Sequence, residues 1–538
     1  MVVNRLSAPL SEVTQGEWIP TSTDDVFHRI FALESTLSLE DFEVGGIDAW
    51  PFLRSQLAER LFREVEGRDP SLQDSWRRLR AKVCDLLAIN AIDAIRLFAT
   101  VFRRRIPVSG SAHLLVLTEN TSKRLRRNGA WYDVYIDPLL DRLGEPEQQI
   151  CILETSQRMT FARPAYRRTT SIAGDMVRLY LKSWLRLAHF EVGDQFRVAF
   201  QRYRDAMVAM GLGRHVLSER DIRFNMAIIA ELAAAFLECL QRVRPRAVVL
   251  VQYSGYAGSG MCNAARSLGI PVIDVQHGVQ GAYHPAYALS HVPSRGFNVL
   301  PTRFLVWSRH EKSVLDGWIP KESGMTAVIC GNLIMEDFQR GTEMVRGYDR
   351  IVTGVYQSHL HKKLVLITLA WGQYLPDALF DVMSLLGEEA FFLVRIHPST
   401  VRRERVVVES RLEAFGPSRV EFRLASTLPL HSLLRHVHAH VTGTSSVVLE
   451  ALEFGVPSVI TDERGRGYYQ YLIDRGDAVF HADPVEVVGW IRELPVERYV
   501  DRQLSVAHEG RVSVAPSAGA RDWIFGSPAP PFGGPALA

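Results

Sequence analysis

The chain has few cysteines, almost no net charge and no long hydrophobic run. Its five cysteines, among 538 residues, form no C-x-x-C pair, a spacing that argues against a zinc cluster and predicts reduced thiols in the cytoplasm. Lys and Arg number 62 against 60 Asp and Glu, so no global field attracts nucleic acid. No stretch reaches about 18 apolar residues, and the first residues lack a signal-peptide core. We therefore expect a cytoplasmic protein that neither spans a membrane nor binds nucleic acid.

What the sequence does contain is an alternation of short apolar runs with helical stretches. The runs predict strands at 113–118, 149–154, 247–252, 271–275, 304–307, 327–330, 364–369, 391–396, 420–424, 439–442 and 457–461. Strand, helix and strand in that order predict parallel sheets covered on both faces. The fold class is therefore α/β, with two Rossmann-like doubly wound domains that face a cleft, where the ligand is expected at the carboxyl ends of the strands.

The predicted domains follow from this alternation. Residues 1–105 form a helical N-terminal segment, 106–340 the acceptor-side domain, and 363–500 the nucleotide-binding domain. The polar stretch 341–362 predicts a linker, and 501–538 a terminal segment with a disordered tail.

Two segments are amphipathic with basic flanks, Leu86 to Phe102 and Met176 to Phe190. Either could lie on the anionic inner face of the plasma membrane as a peripheral contact. Amphipathicity alone does not separate that interpretation from a helix packed on the core with a solvated outer face. The packed helix is the favoured interpretation of both segments.

The sharpest motif is GTSSVVLEALEFGVP, which begins at Gly443 after a predicted strand. Gly443 permits a tight turn, and Thr444, Ser445 and Ser446 place hydroxyls beside the unpaired N–H groups of a helix start. Such a terminus binds phosphate through backbone donors and the helix dipole. Glu450, one turn further, could reach a ribose diol. The alternative is a plain serine N-cap.

A second motif of the same domain is Arg-Ile-His-Pro at the end of a buried strand. Pro398 stops the sheet, so His397 lies at the carboxyl edge, where its imidazole could stabilise a departing phosphate. Arg395 is assigned to the same nucleotide site. Gly372 and Gln373, after the first strand of this domain, are predicted to meet a nucleotide phosphate.

In the first domain, Asp274-Val-Gln-His-Gly spans the end of a predicted strand. Gly278 permits a sharp turn that leaves Gln276 and His277 at the strand tip on the acceptor side. His277 there could remove a proton from an acceptor hydroxyl. Asp274 lies at an odd offset from His277 and is not expected to orient it. The alternative is a histidine that closes a structural turn.

Two weaker features accompany these motifs. Ser254 lies in the glycine-rich stretch 252–260, which matches no dinucleotide or P-loop pattern and is assigned to the acceptor side. The histidine-rich stretch 431–440 resembles a metal site at first, but its spacing favours structural roles. No metal site is predicted.

The order of these motifs resembles that of the GT-B nucleotide-sugar enzymes of bacterial surface polysaccharide synthesis. It runs Gln-His-Gly, Phe-Leu-Val-Trp-Ser, Cys-Gly-Asn-Leu-Ile-Met-Glu-Asp, His-Pro, and Gly-Thr-Ser-Ser before Glu-Ala-Leu, across about residues 110–500. It is most similar to capsule-type transferases, including bacterial sialyltransferases, and to CDP-glycerol glycerophosphotransferases of teichoic acid synthesis. Non-hydrolysing UDP-N-acetylglucosamine 2-epimerases look more distant.

The resemblance implies roles at matching positions. The His of His-Pro and the Ser pair hold the nucleotide phosphates in such transferases, which implies that role for His397, Ser445 and Ser446. An essential His before Gly in the glycerophosphotransferases matches His277, as base. The acidic-acidic-Gly motif of the sialyltransferases has no counterpart here, which argues against sialic acid. The resemblance also implies a metal-independent reaction without a cofactor.

The expected activity is therefore an inverting transfer of a sugar, or of a polyol phosphate, from a CMP-, CDP- or UDP-linked donor. The expected acceptor is a lipid-linked or polymeric surface glycan such as a capsule. Two alternatives stay open: a UDP-sugar 2-epimerase-like isomerase, which needs acidic residues around the sugar that the sequence does not locate, and a non-catalytic GT-B-fold assembly subunit.

Overall fold

The computed structural model describes residues 18–65, 105–108, 110–156, 161–187, 190, 192–339, 343–359, 361–370, 376–398, 400, 402–495 and 523–525. The chain forms two compact units. Described residues up to 122, from 135 to 331 and 523–525 belong to the first unit, and those from 123 to 134 and from 332 to 495 to the second. The predicted segment Leu86 to Phe102, the residues Gly372 and Gln373, and most of 501–538 lie outside the described residues.

The strands are short and mostly buried. In chain order they are β1 Glu43–Val44, β2 Ile47–Asp48, β3 Leu114–Glu119, β4 Lys123–Arg127, β5 Ala130–Asp133, β6 Ile150–Thr155, β7 Thr170–Ser171, β8 Ala247–Leu250, β9 Val272–Val275, β10 Arg303–Val306, β11 Thr326–Ile329, β12 Lys363–Thr368, β13 Ala390–Arg395, β14 Val420–Glu421, β15 Ala439–Thr442, β16 Ser458–Ile460 and β17 Val479–Phe480.

The α-helices alternate with these strands. They are α1 Thr23–Thr36, α2 Trp50–Val65, α3 Asp137–Leu143, α4 Ala173–Arg186, α5 Asp194–Ala209, α6 Glu219–Val243, α7 Tyr256–Ser267, α8 Arg309–Asp316, α9 Leu333–Gln339, α10 Glu343–Tyr356, α11 Asp377–Leu386, α12 Arg402–Glu413, α13 Arg423–Thr427, α14 Leu430–Leu434, α15 Val447–Glu453, α16 Glu463–Ile473 and α17 Pro484–Glu493.

The first unit contains a seven-stranded sheet in the order β11-β10-β9-β8-β3-β6-β7, and all of its strand pairs are parallel. The chain first builds outward from β3 to β6 and β7, and then returns to β8 on the other side. The strand order therefore reverses between β3 and β8. Crevices at such reversals are where doubly wound sheets bind ligands.

The second unit repeats this plan with six strands in the order β14-β13-β12-β15-β16-β17. All of its pairs are parallel too. Here the order reverses between β12 and β15, so the loops after these two strands diverge. The two parallel α/β units, with helices before the first of them, confirm the predicted fold class.

The N-terminal helices are part of the first unit, since Phe27 of α1 and Trp50 of α2 lie in the same hydrophobic core as the strands of the larger sheet. Arg54 and Glu34 form a fully buried ion pair, with 2.7 Å between Nε and Oε1. The Arg54 guanidinium also donates to the carbonyls of Pro285 and Ala288. The helical segment is thereby tied to the loop between β9 and β10.

The structure differs from the predicted domain plan at two places. The polar stretch 341–362, predicted as a linker, contains α10, whose Val352 and Tyr356 are buried. Residues 123–134, predicted in the first domain, form the β4–β5 hairpin of the second unit. There the Arg126 backbone N–H donates to Tyr348 Oη at 2.9 Å. Both differences arise because the polarity and local pattern of a segment do not show which other segment it packs against.

In the described part of the chain, no helix combines the length and the apolar character that crossing a bilayer requires.

Candidate functional site

The candidate site of the second unit lies at the carboxyl edge of its sheet, beside the reversal between β12 and β15. The predicted turn Gly443, Thr444, Ser445 and Ser446 follows β15 directly and leads into α15. The loop after β12 includes residues 371–375, which lie outside the described residues. The structure therefore brings the turn to the sheet position where doubly wound folds bind ligands.

Thr442, the last residue of β15, shapes this turn. Its Oγ1 donates to the Thr368 carbonyl at 2.7 Å and accepts from the Ser445 N–H at 3.3 Å. The hydroxyl therefore joins the ends of β12 and β15 and fixes where the chain leaves the sheet.

Helix α16 supports the turn from the other side. Gly465 packs so closely on Gly443 that a side chain at 465 would overlap the Gly443 carbonyl oxygen. The buried Tyr469 hydroxyl donates to the Ser445 carbonyl at 2.7 Å and lies 3.3 Å from that of Thr444. The carbonyls of Thr444 and Ser445 are thus engaged by α16.

The donors of the turn are less engaged than its carbonyls. Among the described residues, the backbone N–H groups and hydroxyls of Thr444 and Ser446 form no hydrogen bond. Ser445 Oγ accepts from the Val447 N–H at 3.4 Å, whereas Ser446 makes no side-chain cap. Ser446 is thus the N-cap residue of α15 without a side-chain cap, and the serine hydroxyl that reaches the helix start is that of Ser445. An anion that contacts this turn would meet donors.

Glu450 lies on the first turn of α15, as the sequence predicted. Its Oε1 is 3.2 Å from Nε2 of the buried His431, and the His431 ring packs on Phe338 with 4.6 Å between centroids. Sequence reasoning missed this histidine as a neighbour of Glu450, because eighteen residues and one strand separate them. His431 is thus a close neighbour of the Glu450 carboxylate.

Arg395 and His397 of the predicted motif lie in different environments. Arg395 Nη1 donates to the carbonyls of Ala425 and Leu428, each at 2.6 Å, so its charge stabilises the C-terminal end of α13. His397 is half-buried just beyond β13, and its carbonyl accepts from the Thr400 N–H at 3.0 Å. Arg395 was predicted at the nucleotide phosphates, but these contacts serve the fold.

A buried polar row crosses the sheet beneath the turn. His440 Nε2 is 2.8 Å from Thr368 Oγ1, and its Nδ1 is 3.0 Å from Ser458 Oγ. Burial lowers the pKa of His440 to about 3, so the ring is neutral near pH 7. Nearby, His438 Nδ1 accepts from the Leu364 N–H at 3.0 Å. These contacts agree with the predicted structural roles of His438 and His440. Among the described residues, no group of three or more His, Cys, Asp or Glu could hold a metal ion.

In the first unit, the loop from β8 to α7 lies at the carboxyl edge beside the reversal between β3 and β8. Gln252 in this loop is exposed and has a φ of 70°, a conformation that is uncommon outside glycine and often found at functional sites. Ser254, predicted on the acceptor side, is half-buried in the same loop.

The glycines that follow this loop serve packing. A Cβ at Gly258 would lie 2.5 Å from the Gln252 carbonyl oxygen, and one at Gly260 would lie 2.9 Å from Leu232 Cβ on α6. Gly258 and Gly260 therefore allow α7 to approach neighbouring segments closely, which agrees with the lack of a phosphate-loop pattern in this stretch.

Asp274 of β9 holds the β8–α7 loop in place. Its fully buried carboxylate accepts from the Tyr253 N–H at 3.1 Å, the Tyr287 hydroxyl at 2.8 Å and Gln280 Nε2 at 3.5 Å. Burial raises the pKa of Asp274 to about 7 against the opposing effect of these donors. The sequence did not expect Asp274 to orient His277, and the contacts show that its carboxylate faces Tyr253 and Tyr287.

The predicted strand tip at β9 carries Gln276, His277 and Gly278. Gln276 is fully buried: its Nε2 donates to the Gly278 carbonyl at 2.8 Å and its Oε1 accepts from the Trp307 N–H at 2.6 Å. It was predicted to face the acceptor, but both polar ends of its side chain bind backbone. Gln276 therefore fixes the turn on which His277 is displayed.

His277 is half-buried, and its ring meets Tyr135 edge-on with 6.1 Å between centroids. Gly278 is half-buried beside it. His277 belongs to the first unit and His397 to the second. Their convergence on one ligand stays a prediction.

No protein-family model and no curated protein matches the chain. Solved structures that are similar include a complex of MnaA from S. aureus with UDP, at 12% identity and a TM-score of 0.43, covering 72% of this chain and 88% of that one. The UDP-GlcNAc 2-epimerase of Methanocaldococcus jannaschii is 11% identical with a TM-score of 0.44, covering 77% and 99%.

A variant of the wall teichoic acid polymerase TagF is 10% identical with a TM-score of 0.42, covering 87% of this chain and 95% of that one. Identities this low, with TM-scores below 0.5, assign no function to the present chain.

Proposed function

We propose that this protein transfers a sugar, or a polyol phosphate, from a nucleotide-activated donor to a surface-glycan acceptor, with inversion and without a metal ion. The observation that carries the proposal is the turn from Gly443 to Ser446. It lies at the carboxyl edge of a doubly wound sheet beside the strand-order reversal. The carbonyls of Thr444 and Ser445 accept from Tyr469, whereas the donors of Thr444 and Ser446 form no hydrogen bond among the described residues.

This polarity suits a nucleotide phosphate. An anion binds where N–H and O–H donors are present and carbonyl oxygens are not exposed beside them. Because Tyr469 of α16 already occupies carbonyls of the turn, the donors are what the turn offers to a ligand. We assign the phosphates of the donor to the turn and the ribose diol to Glu450, whose Oε1 lies 3.2 Å from His431 Nε2. Because α15 has only seven residues, the local donors matter more than the helix dipole.

The proposed reaction is a single displacement. The acceptor hydroxyl oxygen forms a bond to the anomeric carbon of the sugar, or to phosphorus when a polyol phosphate is transferred, and the bond to the nucleotide phosphate oxygen breaks. The electron pair of that bond leaves with the nucleotide, whose developing charge the turn donors and His397 stabilise. The hydroxyl proton passes to His277 as general base.

The geometry around His277 supports the role of base. Gln276 fixes the turn through two backbone contacts, and Tyr135 packs against the imidazole edge-on. A base must be held in position while one face stays accessible to its substrate. A half-buried ring on a rigid turn satisfies both requirements.

A thermal-shift experiment with CMP, CDP, UDP and GDP tests the donor site, since a ligand of the native state raises stability by RT ln(1 + [L]/Kd). We expect one base to be preferred. In the variant Thr444→Ala/Ser446→Ala the unliganded melting temperature should stay the same, because these hydroxyls form no internal hydrogen bond, while the nucleotide shift should fall. Thr353→Ala/Ser410→Ala, at exposed positions of α10 and α12, is the matched control.

Turnover separates the proposal from its alternatives. Incubation of a nucleotide sugar with an acceptor should give a transfer product in the wild type and none in His277→Ala, which should still bind nucleotide. Formation of an epimeric nucleotide sugar without acceptor would favour the isomerase. Absence of a shift with every nucleotide would contradict the proposal and favour the assembly subunit.

A further inference from the structure

Helix α4 has apolar residues on both of its faces. Its inner face, with Met176, Leu179 and Ser183, is buried, and Ser183 Oγ lies 3.3 Å from the Ala227 carbonyl of α6. Its outer face is not the polar one that a packed surface helix normally presents. Leu181, Trp184 and Leu185 are 55%, 43% and 64% exposed there. The sequence favoured a helix packed on the core with a solvated outer face; the structure contains the packed inner face, and its outer face carries these three apolar residues beside charged ones.

The exposed apolar residues are flanked by cations. Lys182 Nζ and Arg186 Nη1 share the single carboxylate of Glu231, at 2.5 and 3.0 Å, and Arg178 lies 3.4 Å from the buried Asp175. Lys182 and Arg186 remain substantially exposed, whereas both carboxylates are largely covered. The charge that this helix presents to solvent is therefore positive.

We propose that the outer face of α4 docks on an anionic lipid surface, with Leu181, Trp184 and Leu185 entering the headgroup region and Lys182 and Arg186 meeting the phosphates. Apolar and tryptophan side chains bordered by Lys and Arg suit that boundary, and basic residues near it are attracted to anionic headgroups.

Two observations favour lipid over a protein occupant. Three partly exposed side chains fall well short of the roughly 800 Å² that each partner buries in a stable interface. The cations that border them match a negatively charged plane. This docking rests on the proposed function. It brings the enzyme to the membrane surface, where a lipid-linked acceptor lies.

Co-sedimentation with vesicles tests this docking. The full chain should bind vesicles that contain phosphatidylglycerol and phosphatidylcholine, bind pure phosphatidylcholine much more weakly, and detach as salt is raised. The variant Leu181→Ser/Leu185→Ser should lower the affinity by about tenfold or more, since two half-exposed leucines leave the interface. Lys182→Gln/Arg186→Gln should lower it and flatten the salt dependence.

The matched control is Val198→Ser/Val208→Ser on α5, whose side chains are 53% and 66% exposed. This variant should bind vesicles like the wild type. Equal binding by the Leu181→Ser/Leu185→Ser variant, or no binding by the wild type, would overturn the proposal. A wild-type dimer in light scattering that becomes monomeric in this variant would overturn it in favour of a second copy of the chain.

The proposed membrane docking and the proposed transfer activity can be refuted independently of each other. Leu181→Ser/Leu185→Ser should keep the full nucleotide thermal shift, which also shows that it is folded. Thr444→Ala/Ser446→Ala should keep full vesicle binding. Loss of vesicle binding in the second variant would overturn the assignment of docking to α4.

Discussion

Replacing Gly465 by alanine tests how firmly α16 holds the turn after β15. A Cβ at this position would overlap the Gly443 carbonyl oxygen and lie 2.9 Å from both the Gly443 carbonyl carbon and Ile460 Cγ2. The obstructing oxygen belongs to backbone that Thr442 fixes to the sheet. It cannot move aside as the end of a flexible side chain could, so either α16 or the turn must shift.

Two effects of opposite sign set the magnitude. Alanine in a helix interior gains up to about 1 kcal/mol over glycine, whereas overpacking against fixed atoms costs about 1–3 kcal/mol. Because the overlap involves backbone on both sides, we expect the higher part of that range and a net loss of about 1–2 kcal/mol. For a unit of this size the melting temperature should fall by about 2–4 °C per kcal/mol.

The matched control is Gly489→Ala in α17. Gly489 is exposed, and a Cβ there would have no atom within 4 Å, so the helix-propensity gain of about 0.5–1 kcal/mol should appear unopposed. Calorimetry of both variants, with nucleotide titration at 25 °C, is the assay. Gly465→Ala should also weaken nucleotide binding, since the turn moves. Equal stability of the two variants, with unchanged nucleotide affinity, would refute the reasoning.

Three further predictions concern buried polar groups. Between pH 3.8 and about 7 the folded state retains the Asp274 proton that the unfolded chain has lost. The first unit should therefore lose stability as pH rises through this range. Asp274→Asn should remove this pH dependence of the free energy of unfolding in urea titrations. For His440 the pH dependence of stability has the opposite sign. Its pKa falls from 6.5 to about 3 on folding, so the second unit should lose stability as pH drops below 6.5. His440→Gln should abolish this loss. Tyr469→Phe should lower the free energy of unfolding by about 1 kcal/mol and weaken nucleotide binding measured by calorimetry; unchanged affinity would contradict its hold on Ser445.

Local pattern predicted the strands well because burial of a short apolar run is a local property. Strands β3, β6, β9, β12, β13 and β15 were all found within one residue of their predicted bounds. The stretch 420–424 was less regular: β14 ends at Glu421, and α13 begins at Arg423. The β4–β5 hairpin was missed although Asn128 and Gly129, both with positive φ, form a two-residue hairpin turn whose sequence signal was available.

The sequence by itself determined which residues stand at strand tips: His277 after β9, His397 after β13 and the turn from Gly443 to Ser446 after β15. That placement follows from where apolar runs end and where glycine or proline interrupts them. It also determined that both sheets are parallel, because helices alternate with strands.

Only the tertiary structure decided which strands are neighbours, and hence that β12 and β15 flank the reversal in strand order. It also decided that Gln276 and Arg395 bind backbone, that Tyr469 engages the carbonyls of the turn, and that the outer face of α4 is apolar. The physical reason is that the hydrophobic periodicity of a segment indicates only which face of its own helix or strand is buried. The partner that covers it, or its absence, depends on packing between segments far apart in the chain.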